Sequence, residues 1–460
     1  MSVSSAAPAT HRTFRRTLAA TVAVLVVLVA VFATLGFSQG PKLSSAQIDT
    51  AQVVQQGGQQ LRLFVNQAVA SIEADQITVT PAAAISVSTS GDVVAVQFDE
   101  PLRYNTDYVV EVSGVTSVYV AQPSTLTYEF TTASPELYYL DRAGDSDRII
   151  RTALSTTDRD IVYEAASIED YAVFDGALAV VTTGSDGGSA LALVSAEGNV
   201  EDIALPGVGV VEQLQSSATT GMLGFIFTGT DAAGGTDYAR TLFTVNLGGS
   251  RALVAVTGLD GLTPQVERWD FVPTTSDIVV YAADQSLLRV GLGDAATVLP
   301  LGQFSGFQSM SADGRTVVVT DPFGAVALNL NDGSIQRLDP SPLEGEVPFA
   351  GATAVVPSGG WVQQVADIDV TTGRYKSAMV FDDGNTARII YRTPRDEGSF
   401  VNFALSPNGQ YAVVETVPDV STSVDDGYTV NPRSTSITTV FVDVGTGAVV
   451  KSIEGFRVSW

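Results

Sequence analysis

Apolar and polar residues alternate in short runs along most of this chain, and Phe307–Pro340 shows the unit most clearly. Phe307–Met310 leads into a turn at Asp313–Gly314, and the apolar run Thr316–Thr320 follows. After a break at Pro322–Gly324, Val326, Leu328 and Leu330 alternate with small or polar residues, and Asp332–Gly333 turns the chain into Ile335–Leu338. Asp-Gly between apolar runs predicts a tight hairpin, because glycine supplies the positive φ that the turn requires. The unit therefore predicts four short strands in a row. One such sheet cannot cover its own faces, so neighbours must stack against it.

The unit recurs through the C-terminal part of the chain. First turns fall at Gly176, Gly221, Ser276, Gly314, Gly359 and Gly409, at intervals of 45, 55, 38, 45 and 50 residues. Second turns follow at Glu197–Gly198, Gly248–Gly249, Gly293–Asp294, Asp332–Gly333, Asp383–Gly384 and Thr446–Gly447. Four strands per period of this length predict the blades of a β-propeller spanning residues 135–460. Six blades are explicit. Leu137–Leu140, Arg148–Leu154 and Asp160–Glu164 offer three more strands, and Phe456–Trp460 is left over at the far end. Pairing that last strand beside Leu137–Leu140 makes a seventh blade and removes the open sheet edges.

The S-x-[DN]-G turns at Ser311–Gly314 and Ser406–Gly409 resemble the repeats of TolB-like and WD40-like propellers. That resemblance implies architecture and no particular activity. The Trp-Asp ending of WD40 blades is missing at blade ends, since Trp269–Asp270 falls on an expected inner strand. Neither turn continues into the glycine and aromatic of a sialidase Asp-box, and three tryptophans are too few for quinoprotein docking repeats.

Residues 42–132 carry a different pattern of short strands with period two. Leu61, Leu63 and Val65 alternate, as do Ile77 and Val79, then Val94, Val96 and Phe98, and finally Leu126, Tyr128 and Phe130. Spacing of this kind over some ninety residues predicts an antiparallel β-sandwich. Ile77–Pro81 (ITVTP), Pro101–Gly114 with its YNTDYVVEVSG stretch, and Tyr128–Thr132 resemble the bacterial Ig-like domain first named from S-layer proteins. The resemblance implies a spacer or adhesion module on an exported protein, without catalytic residues.

Leu18–Phe37 is twenty residues without a charge, enough for a helix of roughly 30 Å and a bilayer core. Arg12, Arg15 and Arg16 precede it and Lys42 is the one nearby positive charge after it, which predicts a cytoplasmic tail over residues 1–17 and everything beyond the span outside. A cleaved signal peptide is the competing expectation, with Val31–Phe32–Ala33 as the cleavage site, although its apolar region is normally shorter. Arg15–Arg16 forms part of a twin-arginine signal without the full motif.

Composition removes several chemistries. The chain has no cysteine, and its single histidine is His11, so thiolates, disulfides, His-ligated zinc and Ser-His-Asp triads are excluded beyond the apolar stretch. The three lysines, Lys42, Lys376 and Lys451, lie in no nucleophile motif. With Arg12, Arg15 and Arg16 set aside, 21 basic residues face 50 acidic ones, a formal −29. Such a surface repels nucleic acid and anionic lipid headgroups, which are not expected partners.

Asp141, Asp145 and Asp147 place acids at positions one, five and seven of one loop, which calcium favours, but the EF-hand glycine at six and glutamate at twelve are missing. No other cofactor is expected. Gly184–Gly188, Thr230–Thr236 and Pro418–Pro432 are Gly-rich or acidic loops expected on one blade rim. The last is the longest insertion, and Asp425, Asp426 and Tyr428 are its candidate interaction residues. Trp361, Trp269, Tyr171 and Phe403 are expected to pack between blades.

Two functions fit this pattern. The first is a membrane-anchored extracytoplasmic binding or scaffold protein, with an Ig-like stalk presenting a propeller to a protein or glycan of the cell envelope. The alternative is a glycoside hydrolase working through carboxylates on a propeller scaffold. Fold alone does not choose between them.

Overall fold

In the computed structural model the described chain is nearly all β. The structure describes residues 10–37, 40–119, 121–142, 144–185, 187–217, 219–293, 297–343, 345–369, 374–393 and 398–460; for 10–13, 30–37, 367–369 and 374–376 the backbone alone is described. Ala143 and Asp186 of the expected loops, Asp294 of one expected turn and the side chains of the expected cleavage site lie outside that set. The chain divides into two compact units, residues 1–53 with 57–132, and residues 54–56 with 133–460.

The first unit opens with α1 (Thr10–Phe37). The hydroxyls of Thr17 and Thr21 donate back to the Phe14 and Thr17 carbonyls at 3.0 and 2.9 Å, so neither exposes an unpaired polar group. Side chains are described within α1 for Phe14–Val29, and among the described residues no helix is long and apolar enough to cross a membrane.

Seven strands follow: β1 (Leu43–Gln47), β2 (Gln59–Val65), β3 (Ile77–Thr80), β4 (Ile85–Ser90), β5 (Val93–Phe98), β6 (Asp107–Val115) and β7 (Ser124–Thr131). They form a four-stranded sheet, β1-β2-β5-β4, and a three-stranded one, β3-β6-β7. Alternation puts Leu61, Leu63, Val94, Val96 and Phe98 of the first sheet and Val110, Val112 and Leu126 of the second in one buried layer. Phe98 meets Phe130 across it with ring centroids 6.2 Å apart.

The second unit consists of seven four-stranded antiparallel sheets. The closing sheet takes β8 (Glu136–Asp141), β9 (Asp147–Ala153) and β10 (Asp160–Ala165), and is completed from the other end of the chain. Sheet I holds β11 (Ile168–Phe174), β12 (Ala177–Thr183), β13 (Ser189–Ser195) and β14 (Val200–Ile203). Sheet II holds β15 (Gly207–Ser217), β16 (Met222–Asp231), β17 (Asp237–Asn246) and β18 (Leu253–Ala255). Sheet III holds β19 (Val266–Phe271), β20 (Asp277–Ala282), β21 (Ser286–Gly291) and β22 (Thr297–Gln303). Sheet IV holds β23 (Gly306–Met310), β24 (Thr316–Asp321), β25 (Gly324–Asn329) and β26 (Ile335–Arg337). Sheet V holds β27 (Phe349–Val355), β28 (Trp361–Asp369), β29 (Arg374–Asp382) and β30 (Ala387–Arg392). Sheet VI holds β31 (Ser399–Leu405), β32 (Tyr411–Val417), β33 (Thr438–Asp443) and β34 (Val449–Glu454). Finally β35 (Phe456–Ser459) pairs antiparallel with β8, Phe456 opposite Leu140 and Ser459 opposite Tyr138.

Apolar contacts link the sheets in a closed, propeller-like circuit. Ala179 and Val181 of sheet I meet Leu223 and Phe225 of sheet II, and Ile226 and Leu242 meet Trp269 and Val280 of sheet III. Val279 and Leu287 meet Val317 and Val326 of sheet IV, whose Val318 and Ala327 meet Trp361 of sheet V. Val362 and Met379 meet Val414 and Val440 of sheet VI. Val413 and Phe441 meet Leu137 and Tyr139 of the closing sheet, whose Leu140 and Ile149 return to Ile168, Tyr171 and Val180 of sheet I. The circuit leaves neither end sheet without a partner face.

The S-x-[DN]-G turns have a local cause. The Ser311 hydroxyl donates to Asp313 Oδ1 at 2.5 Å and accepts from Thr316 N at 2.9 Å, while Asp313 Oδ1 also accepts from Arg315 N. Ser406 and Asn408 repeat the arrangement with Tyr411 N and Gln410 N. Both turns need φ near +68° at the glycine, and a Cβ on Gly314 would stand 2.9 Å from the Pro273 carbonyl oxygen of the preceding sheet. Each turn is thus shaped by its own side chains and pressed against its neighbour.

Candidate functional site at the ring seam

In sheets I to VI the connection between the second and third strands lies at the opposite edge from the first turn. Gly184–Gly188 follows β12, Thr230–Thr236 spans the tip between β16 and β17, and the long insertion joins β32 to β33. In the closing sheet β35 occupies the first position, so the equivalent connection is the one between β8 and β9. The acidic loop Asp141–Asp147 and the insertion therefore rise from adjacent sheets on the same side of the seam.

They meet at Arg142. Its Nε donates to the Ile168 carbonyl at 3.1 Å, and Nη2 donates to the carbonyls of Ile168 and Glu169, both at 2.9 Å. Nη1 donates to Asp426 Oδ2 at 2.8 Å and to the Asn431 carbonyl at 3.0 Å. The guanidinium lies over the Tyr428 ring, 3.7 Å from its centroid, and 5.0 Å from that of Phe456. Side chains of Arg142, Asp147 and Asp426 are all nearly inaccessible. A guanidinium taken out of water is tolerable only when its donors are matched, and here the matching spans the closing sheet, sheet I and the insertion.

Asp147 and Tyr428 complete the clasp. Asp147 accepts from Ile168 N at 2.6 Å and from the Tyr428 hydroxyl. Burial, with the Asp147 hydrogen bond and charge beside it, pushes the Tyr428 phenol well above its ordinary range and keeps it protonated as a donor. Asp426 Oδ1 accepts from the backbone N of Arg433 at 3.1 Å, which fixes the return of the insertion. Asp425 is exposed and caps Gly427 N at 2.7 Å.

A second charged hub sits on the first strands. Arg457, at φ 59°, donates its backbone N to Glu415 Oε1 of sheet VI at 2.8 Å and its Nε to Asp170 Oδ1 of sheet I at 2.8 Å. Its Nη2 reaches the Leu214 carbonyl of sheet II at 2.7 Å, and its own carbonyl accepts from the Tyr171 hydroxyl. One residue thereby joins four sheets. The Asp170 charge is the main reason that Arg457 is held above the usual guanidinium range. Glu415 Oε2 and Arg433 Nε, each buried without a hydrogen-bond partner, face each other at 3.8 Å.

Every first strand of the seven sheets carries a break in register. The register slips at Ile168/Asp170, Glu212/Gln215, Val266/Arg268, Phe307/Ser309, Ala350/Thr353, Phe400/Asn402 and Phe456/Ser459. A bulge re-aims the extra residue out of the alternating pattern. Polar side chains at these slips cross to the next sheet: the Gln213 amide donates to the Glu267 carbonyl, and Gln308 accepts from Thr353 N, both at 2.8 Å. Nearby, burial pushes Asp270 up to about 6, against the opposing pull of Arg268 and Arg457.

A cavity of about 310 Å³ opens at the seam between Arg142, Asp426, Ser434–Thr438, Glu454 and Phe456. The Arg142 donors are already used, so its polar wall is mainly hydroxyls and carboxylates. Among the described residues no three acidic or histidine side chains come together to hold a metal, and Asp141 is paired with Arg159 at 3.1 Å instead of turning toward Asp147.

The structure divides the candidate residues of the insertion: Asp426 and Tyr428 turn inward onto Arg142, and Asp425 faces solvent. Arg142, Asp170 and Arg457 were not legible as functional residues, and Asp147 was legible only as part of a possible calcium loop. The available signal was the isolated arginine inside an acidic loop, which pairs with Asp426, 284 residues further along the chain. Trp269 and Tyr171 are fully buried on first strands, Phe403 packs between sheets V and VI, and Trp361 sits on a second strand between sheets IV and V.

No protein-family model matches the chain, and no curated protein matches it. Among solved structures, the β-propeller domain of the Trilobed protease from Pyrococcus furiosus aligns at 8% identity and TM-score 0.42, covering 79% of this chain and 94% of that one. The WD40 β-propeller domain of Doa1 aligns at 13% identity and TM-score 0.36, over 66% and 88% of the two chains. A protein described as TolB from Agrobacterium tumefaciens aligns at 13% identity and TM-score 0.33, over 70% and 88%.

Proposed function

We propose that this chain is a membrane-anchored binding protein of the cell envelope, in which residues 18–37 span the membrane, an Ig-like domain of the S-layer type acts as spacer, and a seven-bladed β-propeller over residues 135–460 presents its loop-bearing rim to an envelope protein or glycan. Support for the span comes from Val24–Val29, six successive large apolar residues that are all exposed. At 100° per residue they cover the whole circumference of α1, an arrangement that suits lipid and not a one-sided packing partner.

One observation carries the binding reading: four buried carboxylates, Asp147, Glu169, Asp170 and Asp426, are occupied in holding the ring together. Asp147, Asp170 and Asp426 each accept from two or more donors, and Glu169 accepts from the hydroxyls of Thr183 and Ser189 at 3.1 and 2.7 Å. A general acid or nucleophile requires a carboxyl turned toward substrate. The test is binding of the full chain, in detergent, to purified envelope glycan and to envelope extract, compared with an Asp425→Lys variant that reverses charge at the exposed loop tip. Retention that the variant weakens supports the reading; equal retention by both moves the contact elsewhere.

The hydrolase alternative has one observation in its favour, Asp270, whose raised pKa suits a general acid. Release of reducing sugars from envelope polysaccharide, lost in Asp270→Asn, would establish it in place of the binding role.

A further inference from the structure

We propose that the end of the sandwich next to α1 is a lipid-contacting foot, with Val118 and Tyr119 entering the headgroup layer of the membrane that α1 crosses; this rests on the anchoring reading above. Four segments are tied together at that end. The Ser124 hydroxyl donates to the Pro41 carbonyl at 2.6 Å, and Lys42 N donates to Asn66 Oδ1 at 2.8 Å. Ala70 N donates to the Thr116 carbonyl and Val118 N to the Ala68 carbonyl, at 2.9 and 3.1 Å, while Tyr119 N donates to the Ser117 hydroxyl. Gly40 lies so close that a Cβ there would stand 2.8 Å from the Gln122 carbonyl oxygen.

The tether to α1 is short. From Phe37 to Gly40 the chain advances three residues, which span at most about 11 Å even when fully extended. A headgroup layer is roughly 5–8 Å deep on each side of the hydrocarbon core. Whatever angle α1 takes, this end of the sandwich is therefore held at the membrane surface.

Its chemistry fits that position. Tyr119 is 81% and Val118 56% exposed. Asn66–Ile72 and Val112–Tyr128 contain no acid, and Lys42 lies beside them. Glu73 and Asp75, beside Gln76 whose amide donates to the Ser113 carbonyl, and Asp92, whose carbonyl accepts from Val65 N, are the acids at this end. The opposite end of the sandwich carries Asp49, Asp99, Glu100 and Asp107. A tyrosine with its ring in the acyl boundary and its hydroxyl among headgroups is a favoured interfacial residue.

The chain lacks cysteine, so single labelling sites can be introduced at will. Tyr119→Cys, Val24→Cys and Glu100→Cys, each in the full chain with an environment-sensitive fluorophore, are reconstituted into phosphatidylcholine–phosphatidylglycerol vesicles containing doxyl-lipid quenchers. The expected result is strong quenching at position 24 by deep doxyl groups, quenching at 119 by shallow ones several-fold above that at 100, and a blue-shifted emission at 119. Quenching at 24 with position 119 no different from 100 overturns the foot and leaves the anchor intact. Quenching at 119 without quenching at 24 keeps the lipid contact and overturns the span, and no quenching at either overturns both.

Discussion

Six of the seven sheets are held together by the chain itself, and one is not. In sheets I to VI four strands follow one another along the chain, and apolar contacts dominate their seams, as at Phe225 against Ala179 or Trp361 against Val318. The closing sheet is assembled from segments separated by almost the whole ring, and β35 contributes four residues to it. Bringing those ends together costs the loop-closure entropy that a hairpin avoids. The polar hubs are concentrated at this seam: Arg142, Arg457, and Lys451, which donates to Thr152 Oγ1 and the Ala153 and Thr156 carbonyls across it. Where covalent continuity is missing, directional side-chain bonds with one satisfied geometry take over the specification of register.

The sharpest way to break this contrast is to remove β35. Truncation after Gly455 deletes Phe456, buried at the seam, together with the Arg457 links to Glu415, Asp170 and Leu214. The ring should then lose its thermal transition as a whole, because sheet I and sheet VI each lose a packed neighbour. Removing a strand of equal size from the outer edge of sheet IV, β26, should lower the melting temperature and leave one transition. An unchanged transition after truncation would remove the seam from its central place.

Next in size is Arg142→Met, which keeps the length and apolar stem and deletes the charge. It leaves Asp426 and the Ile168, Glu169 and Asn431 carbonyls without their donor, and breaking a buried pair of this kind costs about 3–5 kcal/mol. The matched change in an ordinary sheet is Arg289→Met, which removes a quarter-exposed pair with Asp277 at 2.7 Å and should cost about 1 kcal/mol or less. Denaturant titration of both variants measures the difference, and equal losses would show that the seam has no special dependence on its charges.

How much of this was readable beforehand follows from the same contrast. The repeat and its turns were legible because their causes are local: Ser311, Asp313 and Gly314 make their hydrogen bonds within six residues. Strands Leu43–Gln47 and Ile85–Ser90 escaped notice because most of their positions are serine, alanine or threonine on half-exposed edges. The seam hubs were illegible for another reason. Asp426 and Tyr428 read as a projecting loop, and Asp141–Asp147 as a possible calcium loop, because nothing local announces that each supplies the other's partner. A buried pair that joins the two ends of a chain has no sequence period to reveal it.

Smaller again is Gly224→Ala in the ordinary seam between sheets II and III. A Cβ at Gly224 would stand 2.4 Å from the Trp269 ring, which is fully buried there. Overpacking of this kind costs about 1–3 kcal/mol and should be reversed in part by Trp269→Phe in the same chain. Non-additivity in that double mutant would show that apolar seams depend on shape where the closing seam depends on charge.

The smallest expected effect separates the two kinds of seam by pH. Asp270 lies on β19 of sheet III, and burial raises it from 3.8 to about 6. A carboxyl with a raised folded-state pKa binds its proton more tightly in the folded chain, so its contribution favours folding below about pH 4 and is lost as pH rises to about 6. Asp270→Asn removes that penalty. It should stabilise the ring at pH 7.5 by about 1–2 kcal/mol and give no gain at pH 4, a difference on the scale of 1.4 kcal/mol per pKa unit. Melting curves of the two proteins between pH 4 and 7.5 check it. A constant gap across that range would mean that the Asp270 carboxylate is solvated or matched in the folded ring, and that Arg268 and Arg457 offset its burial as fully at this seam as Arg142 does for Asp426 at the other.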